Sequence, residues 1–160
     1  MKEKFLTLYD ATFADVYRYV YCRVSNKWDA DDIVSEVYVK AFESFATVQG
    51  SVRPWLFTIA RNTVADFFRT KGREQPNSFV ETLVDQSAQV PRDQQAEMDC
   101  LVQTLQALDT EQRELIYLKY FATLKHSQVA EVLKTTEAAV KMRISRLLKQ
   151  MKEMVQQCLT

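Results

Sequence analysis

Apolar residues recur at steps of three and four along most of this chain, the spacing of one face of an α-helix. Phe5, Leu8, Tyr9, Phe13, Val16, Tyr17, Val20, Tyr21 and Val24 predict a first helix over 4–25. After a break at Ser25-Asn26-Lys27, a second is expected from Asp29, which can cap free amides. Its stripe is Ile33, Val34, Val37, Tyr38, Ala41, Phe42 and Phe45. A loop from Ala46 to Arg53 holds Gly50. Pro54 then suits the first turn of a third helix, where its missing N–H is harmless. That helix runs to Arg69, with Leu56, Ile59, Ala60, Val64, Phe67 and Phe68 as core candidates.

Residues 74–93 break the pattern with Gln, Asp, Ser and Pro, and predict a linker; its short apolar stretch Phe79–Val84 could dock on another surface. Helical spacing resumes over 94–108 (Leu101, Val102, Leu105, Leu108) and 110–121 (Leu115, Ile116, Leu118, Phe121), the latter capped by Asp109 or Thr110. A short helix over 126–133, a three-residue turn Lys134-Thr135-Thr136 and a longer helix over 137–157 form a helix-turn-helix layout. The long helix buries Val140, Ile144, Leu147 and Leu148. The expected fold is all-α: two small helical domains, 1–73 and 94–160, joined by a flexible linker.

Composition supports this. The 160 residues include 2 Gly and 3 Pro, where average usage gives about 11 and about 8. So few turn formers argue against sandwiches, barrels and glycine-loop nucleotide folds. No apolar run is long enough to span a bilayer, and the start lacks the apolar core of a signal peptide, so cytoplasm is the expected compartment. Three scattered cysteines, Cys22, Cys100 and Cys158, suggest small buried thiols rather than a disulfide framework.

The formal charge is zero but unevenly placed: −2 over 1–52, +4 over 53–73, −7 over 74–114 and +5 over 115–160. Two basic blocks around an acidic middle point to polyanion contact at two separate places. On the last helix, Lys141, Ser145, Lys149 and Lys152 form one row and Arg143, Arg146 and Gln150 its neighbour. Such a face suits a DNA major groove, where Arg reads guanine edges and Lys neutralises phosphate. In the other basic block, Arg53, Arg61, Arg69, Lys71 and Arg73 interleave with Trp55, Phe57, Phe67 and Phe68. Cations along a backbone with rings for exposed bases suit unpaired DNA, although Phe67 and Phe68 fit the core stripe better. Asn62 and Asp66 are spaced to hold each other or Arg69. The acidic start of the second helix, Asp29, Asp31, Asp32 and Glu36, is read first as a protein-docking surface on which Asp32, Glu36 and Lys40 share a face. The other readings are a plain capped helix start and a Mg²⁺ cluster for phosphoryl chemistry, which would need a second carboxylate cluster.

The strings DADDIVSEVYVKAFESF, RPWLFTIARNTVADFFR, LDTEQRELIYLKYFATLKHSQVAEVL and AVKMRISRLLKQM, in that order, together resemble the extracytoplasmic-function sigma factors of bacteria. The Trp-Leu-Phe-Thr-Ile-Ala-Arg-Asn string with Asp66 and Arg69 is the most specific piece. The resemblance implies a non-enzymatic protein without cofactor or catalytic residue that brings RNA polymerase core to promoters. It assigns Asp32, Ser35, Glu36, Val37 and Lys40 to the core polymerase, through its beta-prime and beta subunits. It assigns Gln49, Gly50, Ser51, Arg53, Trp55, Arg61, Asn62, Asp66 and Arg69 to the melted −10 element. Thr136, Ala139, Lys141, Met142, Arg143, Arg146 and Lys149 fall to the −35 element. It further implies an anti-sigma factor as partner and no membrane insertion. Departures stand at Ser35 (usually Gln), Gln128 (usually Glu), Lys134 (usually Gly) and Ala139 (often Thr).

Each half offers few cations to phosphates, so either alone should grip duplex DNA weakly. Opening a base pair costs a few kcal/mol, so function is expected only on a large partner that tethers both halves. A helix-turn-helix regulator acting without polymerase, and a metal-dependent α-helical phosphohydrolase, are the competing expectations.

Overall fold

The computed structural model describes residues 2–71 and 90–160. The described residues form seven α-helices. The first three are α1 (Lys2–Val24), α2 (Lys27–Ser44) and α3 (Val52–Lys71). The second half contributes α4 (Gln95–Gln106), α5 (Thr110–Ile116), α6 (His126–Leu133) and α7 (Glu137–Leu159). Short 3₁₀ turns lie at Phe45–Thr47 and Arg92–Gln94. The linker expected over 74–93 falls mostly outside the described residues, as do Phe79–Val84 and Arg73.

α2 packs on both α1 and α3, while α7 packs on α4 and α6. Val16, Tyr19, Val20, Val37, Leu56, Phe57, Ala60 and Val64 are wholly enclosed in the first half. Leu118, Leu124, Val129, Val140 and Leu147 are enclosed in the second. The two sets join in one continuous apolar cluster, because α1 packs on the segment after α5 and α3 packs on α6. Three residues of the expected stripes stand apart from it. Phe13, Phe42 and Leu148 are 37%, 46% and 42% exposed, since their helix faces point past the neighbouring helix.

Local details correct the sequence reading at three places and choose between its two candidate caps, Asp109 and Thr110, at a fourth. Asn26, not Asp29, caps α2, its side chain accepting from the Asp29 amide at 3.1 Å. The helix expected over 110–121 divides: α5 ends at Ile116, and Tyr117–Phe121 continues as one π-helical segment. Asp109 closes the start of α5 in a reciprocal pair with Gln112. The cysteines are not all small buried thiols. Cys100 on α4 and Cys158 on α7 form a disulfide, because the antiparallel packing of α4 on α7 brings together residues 58 apart in sequence. Cys22 alone fits the expectation, buried with its thiol donating to the Tyr19 carbonyl at 3.1 Å.

The helix-turn-helix is as expected: α6, a turn at 134–136, then α7. Lys134 lies at φ 56°, ψ 49°, a left-handed conformation that costs a residue with a Cβ about 1–2 kcal/mol. Lys134→Gly is therefore expected to stabilise the fold by about 0.5–1 kcal/mol, the gain being reduced by glycine's freer unfolded chain. Thermal melting of the two proteins side by side checks this. Gln128 helps to close the start of α6, its amide oxygen accepting from the Lys125 N–H at 2.9 Å.

Candidate nucleic-acid interface

α7 carries the simpler surface. Thr136 caps it, its hydroxyl accepting from the Ala139 amide at 3.1 Å. Val140, Ile144 and Leu147 are buried against α6 and the rest of the second half. The opposite side is open: Lys141, Met142, Arg143, Arg146 and Lys149 are all exposed, and Ala139 is half-buried. Lys141 is paired with Glu137 one turn away at 3.3 Å, an exposed contact of small energetic weight. The helix thus presents cations and donors on one face and anchors itself with the other.

The second surface is built on α3 and the turn before it. Gln49, Gly50 and Ser51 are exposed. Gly50 has φ 83°, a backbone region that side chains rarely adopt, although a Cβ there would meet no atom within 4 Å. Trp55 is half-buried, tilted against Phe45 at 6.4 Å. Asn62 is exposed, and Asp66 pairs with Arg69 rather than with Asn62. Phe67 and Phe68 are half-buried and pack against the core, in line with their place in the helix stripe.

Arg53 and Arg61 are half-buried, and each makes contacts at the junction between the halves. Arg61 Nε donates to Glu114 Oε1 at 3.0 Å. Arg53 Nη2 reaches Asp15, and also donates to the Ala122 carbonyl and the Thr123 hydroxyl, both at 3.1 Å. Its guanidinium lies 5.5 Å from the centre of the Phe57 ring.

Around these two arginines sit residues that sequence patterning did not single out. Glu114 is 8% exposed. Its Oε1 also accepts from the Tyr19 hydroxyl at 3.1 Å, and its Oε2 lies 3.3 Å from Arg23 Nη1. Arg23, itself 8% exposed, donates to the Tyr19 oxygen at 3.1 Å and covers the Tyr117 ring at 5.4 Å. Burial, reinforced by the Glu114 carboxylate, pushes the Tyr19 phenol well above its ordinary value. Asp15 accepts from Arg18 at 2.9 Å and from Thr123 at 3.0 Å. Burial works to raise the Asp15 carboxyl, but the hydrogen bonds from Arg53, Arg18 and Thr123 outweigh it and hold the group below its usual value. A signal for Glu114 and Arg23 was present. Each sits three or four residues from core positions of its helix (Tyr117 and Leu118; Tyr19 and Val20), so a charge occupies an inward-facing slot.

The residues assigned to a docking surface on α2 differ in exposure. Asp32, Ser35 and Glu36 are exposed. Lys40 is half-buried, pairing with Glu36 at 3.1 Å and donating to Thr63 of α3 at 3.3 Å. Val37 is wholly buried, while Val39 on the outer side of α2 is 57% exposed. Beside it, α1 and α2 enclose an aromatic groove lined by Phe5, Tyr9, Phe13, Tyr38 and Phe42. Tyr38 is held there by a 2.7 Å hydrogen bond with Thr12, and burial pushes its phenol up to about 12. Among the described residues, no three carboxylate, His or Cys side chains converge as a metal site. No helix among them is long and apolar enough to cross a membrane.

Known proteins share this arrangement. Residues 8–74 match the family described as Sigma-70 region 2, and residues 98–151 match Sigma-70, region 4. SigX of Bacillus subtilis, an ECF RNA polymerase sigma factor, is 30% identical over 153 residues, covering 88% of this chain and 78% of SigX. BldN of Streptomyces coelicolor, another ECF RNA polymerase sigma factor, is 32% identical over 146 residues; the match covers 87% of this chain but 55% of BldN. The fold is similar to that of CnrH, solved in complex with the cytosolic domain of CnrY: TM-score 0.68, 22% identity, 98% of this chain and 90% of that one. Both halves match in the same order, and the relatedness to SigX runs across the described helices and the segment between them. The chain belongs to the ECF RNA polymerase sigma factors of the sigma-70 family.

Proposed function

We propose that this protein binds the core of RNA polymerase and directs it to promoters, reading a −35 element with α7 and holding a melted −10 strand along α3. The observation that carries this reading is the α7 face. Five expected contact residues, from Lys141 to Lys149, are exposed on a helix whose other side is buried in a helix-turn-helix. Asp32, Ser35, Glu36 and Lys40, joined by Val39, form the surface for the polymerase. Gln49, Gly50, Ser51, Trp55, Asn62, Asp66 and Arg69, with Arg53 and Arg61 once released, serve the −10 strand. Residues 1–73 and 94–160 act as the two working units, with 74–93 between them. The protein works in the cytoplasm without chemistry of its own. An anti-sigma factor is the further partner; the similar CnrH was solved with a protein domain, that of CnrY, bound to it.

The test is promoter-specific transcription by core polymerase lacking an initiation subunit, with and without this chain, paired with a mobility shift on the same DNA. Initiation at defined sites only when both are present is the expected result. Strong specific binding by the chain alone, to a palindromic site as a dimer, would instead identify a helix-turn-helix regulator independent of polymerase.

A further inference from the structure

We infer that Cys158 is a thiol-exchange site: it takes up and gives back small thiols as mixed disulfides, and Cys100 is its resolving cysteine. The state of this pair sets whether the outer ends of α4 and α7 stay fastened together.

The two sulfurs of the bond are not equivalent. Cys158, in the last turn of α7, is exposed, whereas Cys100 on α4 is 6% exposed. Thiol–disulfide exchange needs a thiolate to reach one sulfur and displace the other. Cys158 is the sulfur open to that approach. Gln103 Oε1 lies 3.6 Å from Cys158 Sγ, so an acceptor stands ready for its S–H once the bond is open. Cys22 takes no part, since it is 1% exposed in the core.

A small monothiol, RSH, and its disulfide, RSSR, are the co-substrates. RSH loses its proton and its sulfur attacks Cys158 Sγ. The bond to Cys100 breaks, Cys100 leaves as a thiolate and takes up a proton, and a mixed disulfide remains on Cys158. A second RSH attacks the outer sulfur of that mixed disulfide, giving RSSR and the free Cys158 thiol. Two thiols thus supply the two electrons and two protons that the pair gains. In reverse, RSSR loads Cys158, and Cys100 expels the bound thiol to close the bond. In the cytoplasm proposed above, thiols of this class are the reductants at hand, and disulfides there are mostly transient.

The helix ends joined by the bond have little else to hold them. Cys100 is the first buried residue of α4, and Leu147 is the last buried residue of α7. Beyond these two, the half-buried apolar side chains are Met98 on α4 and Met151, Met154 and Val155 on α7. Helical segments with so little buried apolar surface open at small local cost. With the bond closed, the two ends stay packed. With it open, α7 frays from Met151 onward and the first turns of α4 loosen. Arg143 and Arg146 lie before that segment and keep their place.

The experiment uses the full chain, with glutathione as the thiol. Wild-type protein, equilibrated over a series of reduced-to-oxidised glutathione ratios, should gain and lose two thiols reversibly. Cys100→Ala should acquire one glutathione, mapped by mass spectrometry to Cys158, at least ten-fold faster than Cys158→Ser acquires one at Cys100. Cys100→Val repeats this should the smaller side chain loosen the fold. Amide hydrogen exchange over 151–159 should be at least ten-fold faster in the reduced protein than in the oxidised, and Cys158→Ser should match the reduced form. A bond that stays closed in excess reduced glutathione overturns the inference, and opening by dithiothreitol alone overturns the monothiol assignment. Equal or slower loading of Cys158 overturns the division of roles. Equal hydrogen exchange in the two forms overturns the fastening. None of these measurements involves DNA or polymerase, so failure of the promoter assignment shows separately, as no core-dependent initiation.

Discussion

Arg143→Ala and Arg146→Ala are each expected to weaken binding of the polymerase complex to its −35 duplex by ten- to a hundred-fold. Both side chains are exposed on α7, opposite the buried Val140, Ile144 and Leu147. Neither substitution opens a core cavity, so the loss reports on DNA rather than on folding. A bidentate arginine–guanine contact contributes about 1–3 kcal/mol of discrimination, which sets the expected range. Lys141→Ala and Lys149→Ala provide the contrast. Lysine meets phosphate as a point charge, so its loss should weaken binding evenly across sequences and lower the salt slope by about 0.9 per residue. Competition binding with every single-base variant of the −35 element, repeated at several salt concentrations, separates the two patterns. Equal loss on all sequences for the arginine variants would remove them from base recognition.

Reducing the Cys100–Cys158 bond is expected to destabilise the second half by about 4 kcal/mol, the loop-entropy value for a bridge spanning 58 residues. The bond clamps the far end of α7 to α4, whereas the residues proposed to read DNA lie nearer the other end of α7, toward the Thr136 cap. Reduction should therefore lower the melting temperature while leaving DNA contacts in place below it. Melting with and without dithiothreitol, alongside a Cys158→Ser variant, checks this. The variant should match the reduced protein and not respond to reductant. A large further drop on adding dithiothreitol to Cys158→Ser would overturn the assignment.

Much of the secondary structure was legible because its causes are local. The three-and-four spacing of Val16 and Val20, or of Val140, Ile144 and Leu147, marks both a helix and its buried side, and these residues are buried. The same periodicity overreached at Phe13, Phe42 and Leu148. A stripe defines a face of a helix but not how much of that face a neighbour covers. Val37 received two readings, a place in the buried stripe of α2 from its spacing and a polymerase contact from the resemblance; it is wholly buried, as the stripe predicts, because α2 packs on both α1 and α3. Lys134 shows a different case: it stands where the resemblance has Gly, and its φ of 56° is the left-handed conformation that glycine adopts most readily.

The order of helices, the helix-turn-helix and the basic face of α7 were thus determined by short-range pattern, since a helix relates only residues within about a turn of one another. The pairing of Arg61 with Glu114, 53 positions on, and of Arg53 with the Ala122 carbonyl, 69 positions on, was decided by how the halves pack. So was the union of Cys100 with Cys158. No periodicity spans such distances. A charge reveals its partner only when the chain brings the two together and water is excluded from between them.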